Sequence, residues 1–366
     1  MASPLLGRAC VALAAALIVA AQVPAGAQAP ADRPRANANP PAAEGARLAA
    51  PRTPWGDPDL QGDYTNKYEQ GTPFERPDEF SGRSLDDVKG DELTAILQER
   101  QDRVLLQTVL AGGDPAGNLG GPLHWQDQFD ITKGSRPWFV MDPADGKIPA
   151  LTQEARQRAA ARQAARRGRG QADSWIDRSL YDRCITRGMP GSMMPVIYGN
   201  SYRIVQAPGV VAIQYEMVHE TRIIPLDGSP HASGTIRQHV GDARGHWEGD
   251  TLVVVSKHFR DESVYRGANP ATLTITERFT PVSADRVDWR VTLDDSTTWA
   301  RPWTFGMPLA RNTDEAMVEY ACHEGNRAMA NMLSAARSDE RRVEELAKKG
   351  IKATLSDAPT AAEGER

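Results

Sequence analysis

The sequence predicts a mainly β protein: an antiparallel meander closing into a lipocalin-like barrel, with a β-sandwich as the alternative packing of the same strands. Three observations predict it. From Ser201 onward, short β-branched and aromatic runs are separated by turn chemistry such as Ala207-Pro208-Gly209, Asp227-Gly228 and Ser283-Ala284-Asp285. Links this short make consecutive strands antiparallel neighbours. The run from Thr251 to Val255 is apolar on both of its alternating faces, which marks a central or barrel-lining strand. Finally, eight or so such strands in succession tend to close on themselves or fold into two sheets.

Taken in order, the chain opens with Met1 to about Ala27, where a lone Arg8 precedes an Ala, Leu, Ile and Val segment ending in Ala25-Gly26-Ala27. This is the pattern of a secretory signal peptide, so the mature protein is expected to be periplasmic or secreted. No later run approaches the roughly 20 apolar residues of a membrane span, and no integral span is expected after cleavage. Residues 28–54 are Ala, Pro, Arg and Asn with almost no large apolar side chain, the composition of a disordered leader. The formal net charge of −5, one unit more negative once Arg8 is removed, does not suggest a nucleic-acid partner.

Residues 55–199 read as a helical and irregular segment wrapping the β domain. Order is expected to begin in the Trp55-to-Tyr64 stretch, followed by a corner at Thr72-Pro73-Phe74-Glu75-Arg76-Pro77. Leu93, Ile96, Leu97, Arg100, Val104 and Leu105 lie near helical spacing and predict a helix from Asp91 to about Leu110, stopped by Gly112-Gly113. Thr152 can cap a helix from Gln153 to about Arg167, whose arginines read as a solvated face.

The β domain with its C-terminal helix is expected over residues 200–349. Ser201–Gln206 and Val210–Met217 form a hairpin, and strands follow through Ile223–Leu226 and Thr251–Val255. Four more are predicted at Ala271–Phe279, Arg286–Leu293, Thr298–Phe305 and Glu315–Ala321. Asn326–Lys349 gives a helix with Met329, Met332, Leu333 and Ala336 on one face and Gly350 as its stop, before a disordered tail over 350–366. After leader cleavage only Cys184 and Cys322 remain, and in an exported chain two cysteines most simply form one disulfide.

Five of the seven histidines and several acids fall between Asn200 and Phe259, so the site is sought there and on the strands that follow. Alternation puts Glu277 on the face of Leu273, Ile275 and Phe279, and Glu319 beside Met317 and Ala321. Glu216 shares a face with Gln214 and Ala212, and His219 follows at the strand end. Together with Arg222 and His323, these carboxylates and imidazoles form the candidate catalytic set, and Glu277 and His323 are expected to line one cavity. Tyr215, Trp247, Trp303 and Tyr320 are the candidate substrate-lining aromatics. Acids, a histidine and an arginine facing an apolar lumen can move protons on a small molecule.

Two plainer accounts stand beside this one. Glu277-Arg278 and Arg222-Glu220 can be strand-end ion pairs, and His323-Glu324 can cap the last helix. His219, His231, His239, His246 and His258 are the candidate ligands of a divalent metal, a minority reading because no His-x-His or His-Glu-x-x-His pair occurs. No nucleophile elbow, phosphate loop or dinucleotide fingerprint is present, and no cofactor is predicted.

Several motifs also carry a resemblance. Trp55-Gly56-Asp57-Pro58-Asp59-Leu60-Gln61-Gly62, Asp142-Pro143-Ala144-Asp145-Gly146-Lys147-Ile148-Pro149, the Met217-to-Gly228 block, Glu277-Arg278-Phe279 and Arg301-Pro302-Trp303 accompany a WEGDTLVV run at Trp247–Val254 and an EYxCHEGN run at Glu319–Asn326. The chain resembles a large, functionally uncharacterised family of exported bacterial proteins with these motifs. The resemblance implies export and a shared fold, and carries over no catalytic residues. The residues themselves leave three functions open: an exported, cofactor-free lyase, isomerase or hydrolase for a small apolar or aromatic molecule; a non-catalytic binding protein for a hydrophobic ligand; and a metal-dependent enzyme using the His219-to-His258 cluster.

Overall fold

A computed structural model describes residues 51–110, 130–196, 198–313, 315–323 and 327–352. The signal segment, most of the leader, the Gly112-Gly113 stop, Glu324 and the tail beyond 352 lie outside the described residues. The described residues form ten strands: β1 Gly62–Thr65, β2 Val140–Asp142, β3 Ser201–Ala207, β4 Val210–Tyr215, β5 Thr221–Pro225, β6 Asp242–Glu248, β7 Thr251–Lys257, β8 Thr274–Ser283, β9 Arg286–Asp294 and β10 Trp303–Arg311. With them come helices α1 Gly90–Leu110, α2 Gln153–Ala165 and α3 Ala328–Lys348.

The strands run in the order β5-β4-β3-β1-β10-β9-β8-β7-β6, each antiparallel to its neighbours, with β2 pairing on β10. The result is a nearly closed nine-strand antiparallel barrel, not a sandwich. Because the number of strands is odd, β5 and β6 point the same way where the ends of the sheet meet. Side chains close that seam: a Cβ on Gly245 would lie 2.6 Å from Leu226 Cδ2 and 2.8 Å from Ile224 Cγ2, so glycine is what lets β6 approach β5.

Alternation fills the inside of the barrel. Val254, Glu277, Val291 and Phe305 form one row across four strands, and Leu252, Phe279, Trp289 and Met307 form the next. Every one of these side chains is fully buried. The expected apolar lumen is therefore a packed core, the usual interior of a barrel this narrow. Trp289 faces inward with Val287, Val291 and Leu293, as the alternation predicts.

Two strand predictions are corrected. Glu315–Ala321 has no regular structure; Glu315 sits in a bend and Glu319 is exposed, so the inward alternation proposed for Glu319 does not exist. The strand predicted from Thr298 begins at Trp303 instead. Asp295 explains the delay: its carboxylate accepts hydrogen bonds from Thr272, Thr297 and Thr298, which hold that stretch in a turn.

The wrapping segment also contributes more than a cover. β1 lies inside the barrel between β3 and β10, and Phe74 packs against Phe139, Trp303 and Phe305. Thr152 caps α2 as expected, accepting from Ala155 N at 3.1 Å. On α3, Met332 Sδ accepts from Arg178, and Arg337 donates to Ala172 O at 2.8 Å.

Candidate functional site

One end of the barrel is closed by chain from the wrapping segment. Here β4 and β7 end and β3, β5 and β8 begin. Met189 and Met193 are buried in the main core. Tyr215 Oη donates to Met189 Sδ at 3.6 Å, Asn66 Nδ2 donates to Met193 O at 2.8 Å, and Tyr202 Oη donates to Asn66 Oδ1 at 3.0 Å. Among the described residues, the non-glycine positions with positive φ are Cys184, Val218, His219, His258 and Arg266. Val218 and His219 connect β4 to β5, His258 and Arg266 lie between β7 and β8, and Cys184 leads into the plug. Left-handed backbone is costly for a β-branched residue such as Val218, and such conformations gather where surrounding structure holds a site in place.

The predicted catalytic residues divide between two environments. Glu277 and Arg222 are buried inside the barrel as a bidentate ion pair: Arg222 Nη1 donates to Glu277 Oε2 and Nη2 donates to Oε1 at 3.1 Å. Trp289 Nε1 donates to the same Oε1 at 3.1 Å. Burial works most strongly, to lower the Arg222 pKa, but the charge and hydrogen bond of Glu277 together with Tyr215 and Glu220 outweigh it and hold the guanidinium above its ordinary value. Both carboxylate oxygens of Glu277 are thus engaged. The sequence suggested ion pairs with adjacent residues; the actual partners are Arg222 with Glu277 across the barrel, and Arg278 with Glu248.

His323 has different surroundings. Its Nε2 lies 2.7 Å from Asp182 O, outside the strands, so it does not share the enclosure that holds Glu277. His219 is exposed, with Nδ1 at 3.1 Å from Tyr320 O. Glu216 is half-buried and accepts from Ser201 N at 3.1 Å, tying the end of β4 to the start of β3. Among the proposed lining aromatics, Tyr215 and Trp303 belong to the core, Trp247 is half-buried at the seam, and Tyr320 lies at the plugged end.

Sequence reasoning named Tyr320 as a lining aromatic and Glu220 only as an ion-pair partner of Arg222, and it missed Thr186, Tyr181 and Tyr198, which complete this end. Glu220 is largely buried, and its Oε2 accepts from Thr186 Oγ1 at 2.7 Å. Burial raises its pKa, opposed by the Thr186 hydroxyl and by the more distant charge of Arg222. Three phenol hydroxyls also converge at this end, linked to the Glu220 turn through the contact of His219 Nδ1 with Tyr320 O: Tyr181 Oη lies 3.0 Å from Tyr320 Oη and 3.4 Å from Tyr198 Oη, and the last two are 3.5 Å apart. The Arg187 guanidinium lies 5.6 Å from the Tyr181 ring centroid. Burial also pushes the Tyr320 hydroxyl up to about 12 and Tyr181 further. The signal was available in the disulfide. Cys184 and Cys322 are bridged, with Cα atoms 5.9 Å apart, and that pairing puts Tyr181 and Tyr320 beside each other.

The remaining histidines are dispersed. His231 Nδ1 is 3.0 Å from Asp242 Oδ2, and its ring meets that of His258 edge-on at 6.0 Å. His239 is half-buried with its pKa lowered by burial and by Arg260, and exposed His246 lies 3.2 Å from Glu248. Among the described residues, no three His, Cys, Asp or Glu side chains are gathered as a metal site. No helix among them is long and apolar enough to cross a membrane. No protein-family model, curated protein or solved structure matches the chain.

Proposed function

We propose that the protein is an exported acid–base enzyme that carries out elimination, hydration, isomerisation or hydrolysis on a small molecule held at the plugged end of the barrel, with Glu220 as the group that takes and returns the proton. One contrast carries this reading. Glu277 is clamped by a guanidinium and an indole, whereas Glu220, at the barrel's edge, is held by a hydroxyl with no ion pair among the described residues. A carboxyl whose pKa is raised by burial holds its proton more tightly than an ordinary carboxyl, which suits it to taking and returning one. His219 follows from the same strained turn, and Tyr181, Tyr198 and Tyr320 supply hydroxyl donors. The filled interior favours a site at the end of the barrel over a hydrophobic ligand carried in its lumen. The leader and the disulfide support export.

The test is to incubate the mature protein and its Glu220→Gln variant with a library of small carbonyl, hydroxy-acid and ester compounds and follow each by mass and retention time. The expected result is one compound class that changes by one water or isomerises, with the variant slower by about 100-fold or more. Compounds depleted by the protein but recovered unchanged would replace this reading with a non-catalytic binding protein.

A further inference from the structure

We propose that the hydroxyls of Tyr181, Tyr198 and Tyr320 are an oxyanion-binding site, and that the substrate is accordingly a small enolisable carbonyl compound whose oxygen gains negative charge during reaction. This rests on the Glu220 reading and adds the substrate class. The three residues come from separate parts of the chain, yet their hydroxyl oxygens lie 3.0, 3.4 and 3.5 Å apart. A half-buried tyrosine ordinarily turns its hydroxyl toward water while its ring packs. Here three converge on one point instead. A phenol proton rotates about its C–O bond, so donors that bond to one another in the free protein can all turn toward a charged oxygen placed among them.

The surroundings support that use. The rings of Tyr198 and Tyr320 stack at 6.1 Å between centroids. Tyr320 is anchored through its carbonyl to His219 Nδ1 and through the nearby Cys322 bridge to Cys184. Arg187 adds a positive charge over Tyr181. Burial keeps the hydroxyls of Tyr181 and Tyr320 protonated across the physiological range, which leaves them as donors. Fixed donors aimed where charge develops are among the largest sources of rate enhancement in such reactions. The two parts of the site are joined by chain: His219 precedes Glu220, and Thr186, which donates to Glu220, precedes Arg187.

The step balances without a cofactor. The Glu220 carboxylate takes a proton from the carbon next to the carbonyl, the C–H electron pair becomes a C=C bond, and the carbonyl π pair moves onto oxygen. The resulting enolate oxygen is held by the three hydroxyls. Where the substrate carries a β,γ double bond the anion is a dienolate: Glu220 returns the proton to the γ carbon, the oxygen pair re-forms C=O, and the C=C bond ends between the α and β carbons, giving an isomer. Alternatively, the enolate expels a β-hydroxyl that takes the proton from Glu220 and leaves as water.

Phenolates are stable mimics of such an enolate. Binding of a series of substituted phenols, from weakly acidic ones to 4-nitrophenol, would be measured by absorbance at constant pH. Affinity is expected to rise with the acidity of the phenol, and Tyr181→Phe and Tyr320→Phe are each expected to weaken 4-nitrophenolate binding by about tenfold or more. Thermal unfolding of each variant checks that loss of binding is not loss of fold. Affinity that is flat across the series, or folded Phe variants that bind like the wild type, would overturn the oxyanion site. Tyrosine-dependent phenolate binding without turnover of any library compound would support this site while overturning the Glu220 reading. Turnover without phenolate selectivity would do the reverse.

Discussion

Two glutamates near β5 illustrate how position decides chemistry. Glu277 projects into the barrel, out of reach of water, and Arg222 faces it from the opposite side of the core as its ion-pair partner. A buried charge left without its partner is strongly destabilising, whereas removing both partners costs much less. Arg222→Met is therefore expected to destabilise the protein by about 3–5 kcal/mol in urea unfolding, with Arg222→Met/Glu277→Gln recovering a substantial part. Equal losses in the single and double variants would contradict the pairing. Alternation along β8 was enough to place Glu277 on the buried face. It could not identify Arg222, which lies 55 positions earlier and meets Glu277 only when the sheet curls. Glu220 was read only as a strand-end partner of Arg222 for a related reason: its contact with Thr186 comes from the plug, a segment with no strand or helix periodicity to read.

The elements themselves were legible where side-chain period and turn chemistry agreed. β3 and β4 flank Ala207-Pro208-Gly209, and β8 and β9 flank a short polar link, so both pairs fall within a few residues of their predicted bounds. β1 was not legible as a strand, since four residues carry little periodicity. The false strand at Glu315–Ala321 has the apolar alternation of a strand but no neighbour to pair with, because β1 already occupies the free edge of β10. The same packing logic makes the β5–β6 seam sensitive. Gly245→Val would drive its side chain into Ile224, a stiff and fully buried neighbour, and is expected to cost about 1–3 kcal/mol by urea unfolding. Unchanged stability would mean that the seam is looser than the packing of Gly245 implies.

At the scale of the molecule, the predicted meander is interrupted, since the chain lays β1 down long before the strands on either side of it. Sequence patterning recognises strands but carries little information about which distant ones become neighbours. A filled interior leaves the barrel as a rigid frame and shifts function to its plugged end. There the Cys184–Cys322 bridge, spanning 138 residues, fastens the Tyr320 segment to the Tyr181 segment. Chain entropy assigns a cross-link of that length about 5 kcal/mol of stabilisation, and the same bridge holds the hydroxyl cluster together. This arrangement explains why the candidate site draws on residues from Tyr181 to Tyr320 that no single motif contains.

The account turns on the protonation of Glu220. Because the folded state holds that proton more tightly than the unfolded chain, its contribution to stability is complete at low pH. That contribution is lost as pH rises from the ordinary glutamate range through the raised folded value, at up to about 1.4 kcal/mol per pH unit within that window. The most direct measurement is a carbon-13 NMR titration of the glutamate side-chain carboxyls in the wild type and in Glu220→Gln. Buried Glu69, also raised by burial, supplies an internal reference that both proteins share. The account predicts a carboxyl resonance that titrates above the ordinary glutamate range and disappears in Glu220→Gln. A Glu220 resonance that titrates with the exposed glutamates would contradict it, leaving the plugged end without the proton-carrying group the proposed reaction requires.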